Sequence, residues 1–274
     1  MSTISAAIRK DLRDTWSAVL FELDKHMRRR RLLIALLLAL IVPLLFYAVP
    51  RAVGVPFAAT STLFAGTNLG FASLLVLISA AFFGGDAISS ELDKRTFLVS
   101  YVAPQRRTSM FVGKYLAAFF ATALVTLFYY GVTFAEMESV YGWGDVPAAF
   151  STSLAVALLY GLGALAVTFT FSSTMRSTIT SNMLSFFALL LILPIVSGVL
   201  SIAGVNPWFV PTYYASLTTS VFGGTGGFGG GGPGGGGGLS SFSPDFHTGL
   251  WVLCVSSIVL LAFSAIVASR RQME

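Results

Sequence analysis

Residues 85–114, GDAISSELDKRTFLVSYVAPQRRTSMFVGK, decide how this chain is read. They hold five Lys/Arg and three Asp/Glu, and the segments on either side are almost wholly apolar. A short charged interval between two hydrophobic runs reads as a loop between membrane helices, placed where a soluble partner can push on it. The rest of the composition agrees. Of 274 residues, 55% are hydrophobic and 11% charged, where soluble domains carry roughly a quarter charged residues. With a mean hydropathy of +0.80, the chain belongs to the membrane class before any motif is considered. The net charge of +5 would suggest nucleic acid in a soluble protein. Here the basic residues sit beside hydrophobic runs, where they set topology instead.

Working outward from the loop, six apolar runs predict spans at 32–49, 62–83, 109–134, 148–171, 178–202 and 249–268. Each is near the ~20 residues that cross ~30 Å of hydrocarbon as a helix. The expected fold is an all-α membrane protein, one six-span unit over residues 1–274. Pro43 predicts a kink or a local break in the first span. Ahead of it, Ile4, Ile8, Leu12, Trp16, Val19, Leu20, Leu23 and Met27 recur at three- and four-residue steps. Arg9, Lys10, Arg13, Asp14, Glu22 and Lys25 fall mainly elsewhere around that helix. Residues 2–27 therefore predict an amphipathic helix lying in the headgroup layer. Four basic residues, Arg28 to Arg31, follow it and hold this end of the first span in the cytoplasm. The first apolar run, starting at Leu32, is expected to be retained as a span rather than cleaved.

Charge placement gives the orientation. With both termini cytoplasmic, sixteen of the seventeen Lys/Arg face one side and only Arg51 faces the other, beside Glu136, Glu138, Asp145 and Asp245. That asymmetry predicts a multi-pass protein of the cell membrane with a cytoplasmic loop at 84–108 and an outer connection at 204–248. In the outer connection, Trp208, Tyr213 and Tyr214 suit the membrane–water boundary, with Pro207 and Pro211 interrupting short helices. Gly223 to Gly238 is glycine at thirteen of sixteen positions, so flexible chain is expected there.

Chemistry on the chain itself is not expected. Cys254 is the single cysteine, and neither HExxH nor a GxSxG turn is present. Gly113-Lys114 is followed by Tyr115 and lacks the upstream glycine of a phosphate-binding loop. The GxGxxA match at Gly161 to Ala166 lies in an apolar span, where small residues allow close helix approach. No cofactor is expected on this chain. Asn68, Ser73 and Thr168 are candidate pathway residues, although such hydroxyls can equally bond back to helix carbonyls. Lys114 is expected to snorkel to the inner boundary, and Glu136 and Glu138 to cap a solvated outer helix end. His26 and His247 each stand alone, with no ligand role. With no full charge placed mid-span, a stand-alone ion-coupled carrier or channel is the weaker reading. An intramembrane enzyme lacks a Ser/His or His/Asp constellation.

The loop residues also carry a family likeness. Asp86 with Glu91, then Arg95-Thr96, Pro104, Arg107 and Gly113-Lys114, resemble the first cytoplasmic loop of ABC-2-type transporter permeases. The chain departs from that pattern in having Arg95 where glycine often precedes the threonine, and in its glycine tract. The resemblance implies a permease that pairs with a second permease copy or homologue and with two cytosolic ATPase subunits, which bind the ATP and Mg. It implies that the N-terminal helix and the loop helix rest on those ATPases. Asp86, Glu91, Leu92, Arg95, Thr96, Phe97, Pro104, Arg107 and Lys114 are the coupling residues it marks. Glu91, Arg95 and Arg107 are the expected ionic contacts, with Leu92 and Phe97 the apolar anchors. The expected cargo is an apolar or amphipathic compound for export.

Overall fold

A computed structural model describes residues 2–28, 30–93, 106–223, 242 and 244–271. Among them every regular element is helical. Helix α1 (Ser2–Arg28) turns at Arg30, whose backbone is left-handed at φ 57°, into α2 (Arg31–Val53). Next come α3 (Ser61–Leu69), α4 (Ala72–Gly84), the short α5 (Ser89–Asp93), α6 (Arg107–Tyr141) and α7 (Ala149–Thr174). After α8 (Thr178–Phe187), a π turn at Ala188–Ile192 leads into α9 (Leu193–Ile202). A 3-10 turn at Pro211–Ser216, α10 (Leu217–Ser220) and α11 (Phe246–Arg271) complete the described chain. Six helical stretches are long and apolar enough to cross a membrane: Arg31–Val53, Ser61–Glu91, Thr108–Tyr141, Ala149–Thr174, Thr178–Ile202 and Phe246–Arg270.

Helices α4, α6 and α7 form the centre of the bundle, with α1 laid along α6, α2 against α6 and α4, and α11 against α7. The second stretch is the most enclosed of the six, and the last is the least. Small residues permit this closeness. A Cβ on Gly84 would lie 2.1 Å from the Thr168 hydroxyl and 3.1 Å from Leu165, so only glycine fits where α4 crosses α7. On the other side of α7, Ser264 of α11 donates to the Phe169 carbonyl at 3.1 Å.

Three expectations change. The first span does not break at Pro43: α2 runs unbroken through both Pro43 and Pro50. Helices in a bundle tolerate proline when neighbouring groups take up the freed carbonyl. The second span is two helices, interrupted at Gly70 and Phe71, which bond back to Thr67 and Asn68 in tight turns. The fifth widens into a π turn just ahead of Pro194, whose ring would press on the carbonyl four residues earlier in a regular α-helix.

The aromatic outer segment folds inward. Tyr213 and Tyr214 are buried within the protein, and the Tyr214 hydroxyl donates to the Trp208 carbonyl at 2.8 Å. Trp208 and Phe209 stay exposed. A Cβ on Gly249 would lie 2.8 Å from the Tyr214 ring, so the start of α11 closes against this segment. The glycine tract beyond Gly223 lies outside the described residues.

Candidate functional site

Residues 85–91 are tied to the bundle by a buried ion cluster near the N-terminal end of α6. Helix α1 buries one stripe, with Val19 and Glu22 against α6 and His26 against Phe83 of α4. It leaves Leu12, Trp16, Leu20 and Phe21 exposed. Gly113 makes the approach possible, because a Cβ there would sit 2.6 Å from the Ala18 Cβ and 3.0 Å from the Thr15 carbonyl. The next residue, Lys114, then meets the helix. Its Nζ lies 2.6 Å from Glu22 Oε1 and 2.6 Å from Glu91 Oε1, and donates to the Ala87 carbonyl at 3.3 Å. Lys25 holds the other Glu22 oxygen at 2.8 Å. One ammonium thus joins the N-terminal helix, α5 and α6, and only 6% of its side chain is exposed.

A second pair fixes the start of the loop. Asp86, 2% exposed, accepts from Arg31 Nη1 at 2.7 Å, and the same nitrogen donates to the Phe82 carbonyl at 3.0 Å. Ser172 of α7 accepts from the backbone N–H groups of Ile88 and Ser89 at 2.9 and 3.1 Å. Ser181 of α8 donates to the Gly85 carbonyl. Residues 85–91 are therefore bound by α2, α6, α7 and α8. Arg106, at the far edge, makes an exposed pair with Asp11 at 2.8 Å.

A family model described as ABC-2 family transporter protein matches residues 18–192, nearly two thirds of the chain. The chain belongs to the ABC-2 transporter family. Its general role is therefore that of a multi-pass membrane permease. No curated protein matches it. The matched region begins in α1 just before Glu22 and includes the whole ion cluster.

Within this ABC-2 permease the residues singled out from sequence fall into three groups. Asp86, Glu91 and Lys114 are brought together around residues 85–91. All three are engaged within the chain: Asp86 with Arg31, and Glu91 with Lys114, whose side chain is enclosed. Arg95, Thr96, Phe97 and Pro104 lie outside the described residues, as do the side chains of Leu92 and Arg107. Of the candidate pathway residues, Thr168 donates back to the Leu165 carbonyl, Ser73 is buried in α4, and Asn68 joins a polar cluster with Tyr129 and Glu136. Glu136 is 6% exposed, so it does not end a helix in solvent. Sequence reasoning missed Glu22 and Arg31. The available signal for Glu22 was its place three residues after Val19 and four before His26, on the stripe that packs.

Electrostatics of α1 predict an acid-sensitive joint. Burial favours a neutral Glu22, yet Lys114 and Lys25 outweigh it and hold the carboxyl at about 2, below its ordinary 4.5. Burial against Phe83 holds His26 down to about 4 from 6.5, with Glu22 and Asp86 opposing and Lys25 and Arg31 assisting. An undocked His26 takes a proton more readily, so docking of α1 weakens as pH falls from 6.5 and this effect levels off near 4. At 1.36 kcal/mol per unit, the loss is about 3 kcal/mol at most. The Glu22 contribution is present above 4.5 and disappears toward 2. Protection factors of α1 amides, taken relative to the intrinsic exchange rate at each pH, should therefore fall between pH 6.5 and 4.5 in the wild type and stay flat in His26→Gln. Equal slopes would contradict this assignment.

Proposed function

We propose that this permease is the membrane half of an ATP-driven exporter of apolar or amphipathic compounds, with both termini in the cytoplasm. ATP and Mg are bound by two separate cytosolic ATPase subunits, and a second permease copy or homologue completes the pathway. Helix α1 lies at the inner membrane boundary with Leu12, Trp16 and Leu20 toward lipid, which their exposure supports. The observation that carries the reading is the three-way junction at Lys114. Two elements that face the cytoplasm, α1 and the 85–107 loop, share one buried cation with a membrane-spanning helix. Force applied to either is delivered to α6, because moving one alone would separate ions that are largely withdrawn from water.

In this reading the loop has an inner and an outer layer. Asp86, Glu91 and Lys114 hold the platform. Arg95 and Arg107 are the ionic contacts to the ATPase, Leu92 and Phe97 the apolar anchors, and Thr96 and Pro104 belong to the same coupling set. A central apolar contact ringed by charges is the usual arrangement of such interfaces. Joint reversal of Arg95 and Arg107 to glutamate is expected to lower co-purification of the cognate ATPase at least tenfold while membrane insertion is unchanged. Undiminished retention would refute the docking assignment.

A further inference from the structure

The outer half of the bundle holds an ionisable group that coupling does not use. Asn68, at the end of the short helix α3, donates through Nδ2 to Glu136 Oε2 at 3.0 Å. The Tyr129 hydroxyl braces that asparagine, donating to its backbone carbonyl at 2.6 Å and lying 3.2 Å from Oδ1. The carboxylate is thereby positioned from one side only. Its other oxygen, Oε1, is shut off from solvent and has no hydrogen-bond partner among the described residues. Ionisable groups at membrane depth are expensive, and by default mark a functional site.

Glu136 also lines a groove of about 650 Å³ between α2 and α6, whose other walls include Leu44, Tyr47, Leu127, Phe128 and Gly131. The walls are apolar and outward-facing, and the volume suits a drug-sized or single-chain molecule. Charge selects among such molecules. The described charged residues at this end are Glu136, Glu138, Asp145 and Asp245 against Arg51 alone, and Arg51 is engaged with the Tyr47 hydroxyl at 2.6 Å. An anionic amphiphile would meet a buried carboxylate. A neutral one would leave the Glu136 carboxylate without a compensating charge. An ammonium supplies both the donor and the compensating charge, and such charge-assisted bonds are the stronger kind.

We infer that this groove is a cargo site for lipophilic amines, with the ammonium held by Glu136 and the hydrocarbon lying along α2 and α6. The assignment rests on the exporter reading for its word cargo, and its test is independent of any ATPase. The purified permease, in nanodiscs of zwitterionic phosphatidylcholine, is titrated with N-dansyl-1,10-diaminodecane and with the neutral N-dansyl-10-aminodecanol, using empty nanodiscs as background. The wild type should bind the amine at least tenfold more tightly than the alcohol. Glu136→Gln should abolish that preference while leaving alcohol binding unchanged, and Glu136→Asp should keep the preference. Gly131→Leu should remove saturable binding of both probes, because a Cβ there enters open space and a larger side chain fills the groove without a clash.

Equal affinity for the two probes in the wild type would show a groove for hydrocarbon alone and overturn the assignment. An unchanged preference in Glu136→Gln would do the same. Loss of self-association in Gly131→Leu, with no saturable probe binding in the wild type, would mean that a second copy fills the groove and would also overturn it. None of these results bears on ATPase retention, so the exporter reading stands or falls separately.

Discussion

Replacing Lys114 with methionine is expected to release α1 and the 85–91 segment from α6 together, destabilising the inner half by about 3–5 kcal/mol. The size follows from what remains. Glu22 and Glu91 each lie 2.6 Å from the ammonium, and without it two carboxylates face each other with little water to separate them. Neutralising both acids in the same protein, with Glu22→Gln and Glu91→Gln, should recover much of the loss, because no uncompensated charge is then buried. Arg106→Ala is the matching control. Its pair with Asp11 is exposed, so its effect should stay within about 1 kcal/mol. Thermal unfolding in detergent and amide exchange across α1 and residues 85–91 would read all three variants. Wild-type protection in Lys114→Met would mean that the cluster does not hold the helices.

Gly113→Leu is expected to drive α1 away from α6 and to cost about 1–3 kcal/mol, the usual range for overpacking a tight contact. The sign is informative here. Away from a contact, replacing a helical glycine should stabilise by up to about 1 kcal/mol, since glycine is the poorer helix former. Gly131, on the same helix, provides that comparison. A Cβ added at Gly131 meets nothing within 4 Å, whereas one at Gly113 would press on the Ala18 Cβ and the Thr15 carbonyl. Opposite shifts in the thermal midpoint for Gly113→Leu and Gly131→Leu are the expected outcome. A stabilised Gly113→Leu would remove the close approach of α1 from the account.

The sequence motif and this geometry illuminate each other. Gly113-Lys114 was legible as a family-like pair, and the structure gives it a physical reason: the glycine admits a helix and the lysine fastens it. The six long apolar stretches were legible as well, because apolar runs of that length have few other uses. What could not be read was pairing across distance. Glu22 and Lys114 lie 92 positions apart, and Asn68 and Glu136 lie 68 apart. Periodicity assigns a residue to a face of its own helix and says nothing of what that face meets. Glu22 was therefore counted with the polar side of α1, and Glu136 with a solvated end. Pro43 misled for a related reason: a proline forecasts a lost hydrogen bond, and whether the helix continues depends on packing around the buried ring that local sequence does not carry.

Helix α6 runs 35 residues without a proline or a break, about 52 Å at 1.5 Å per residue. Lys114 and Glu136 are both on it, about 33 Å apart along its axis by the same rise. A stiff rod carrying both cannot shift one without carrying the other. On the exporter reading that exchange is symmetrical: whatever factor an ATPase-driven displacement imposed on affinity at Glu136, occupancy at Glu136 would return to the ATPase's hold on the rod.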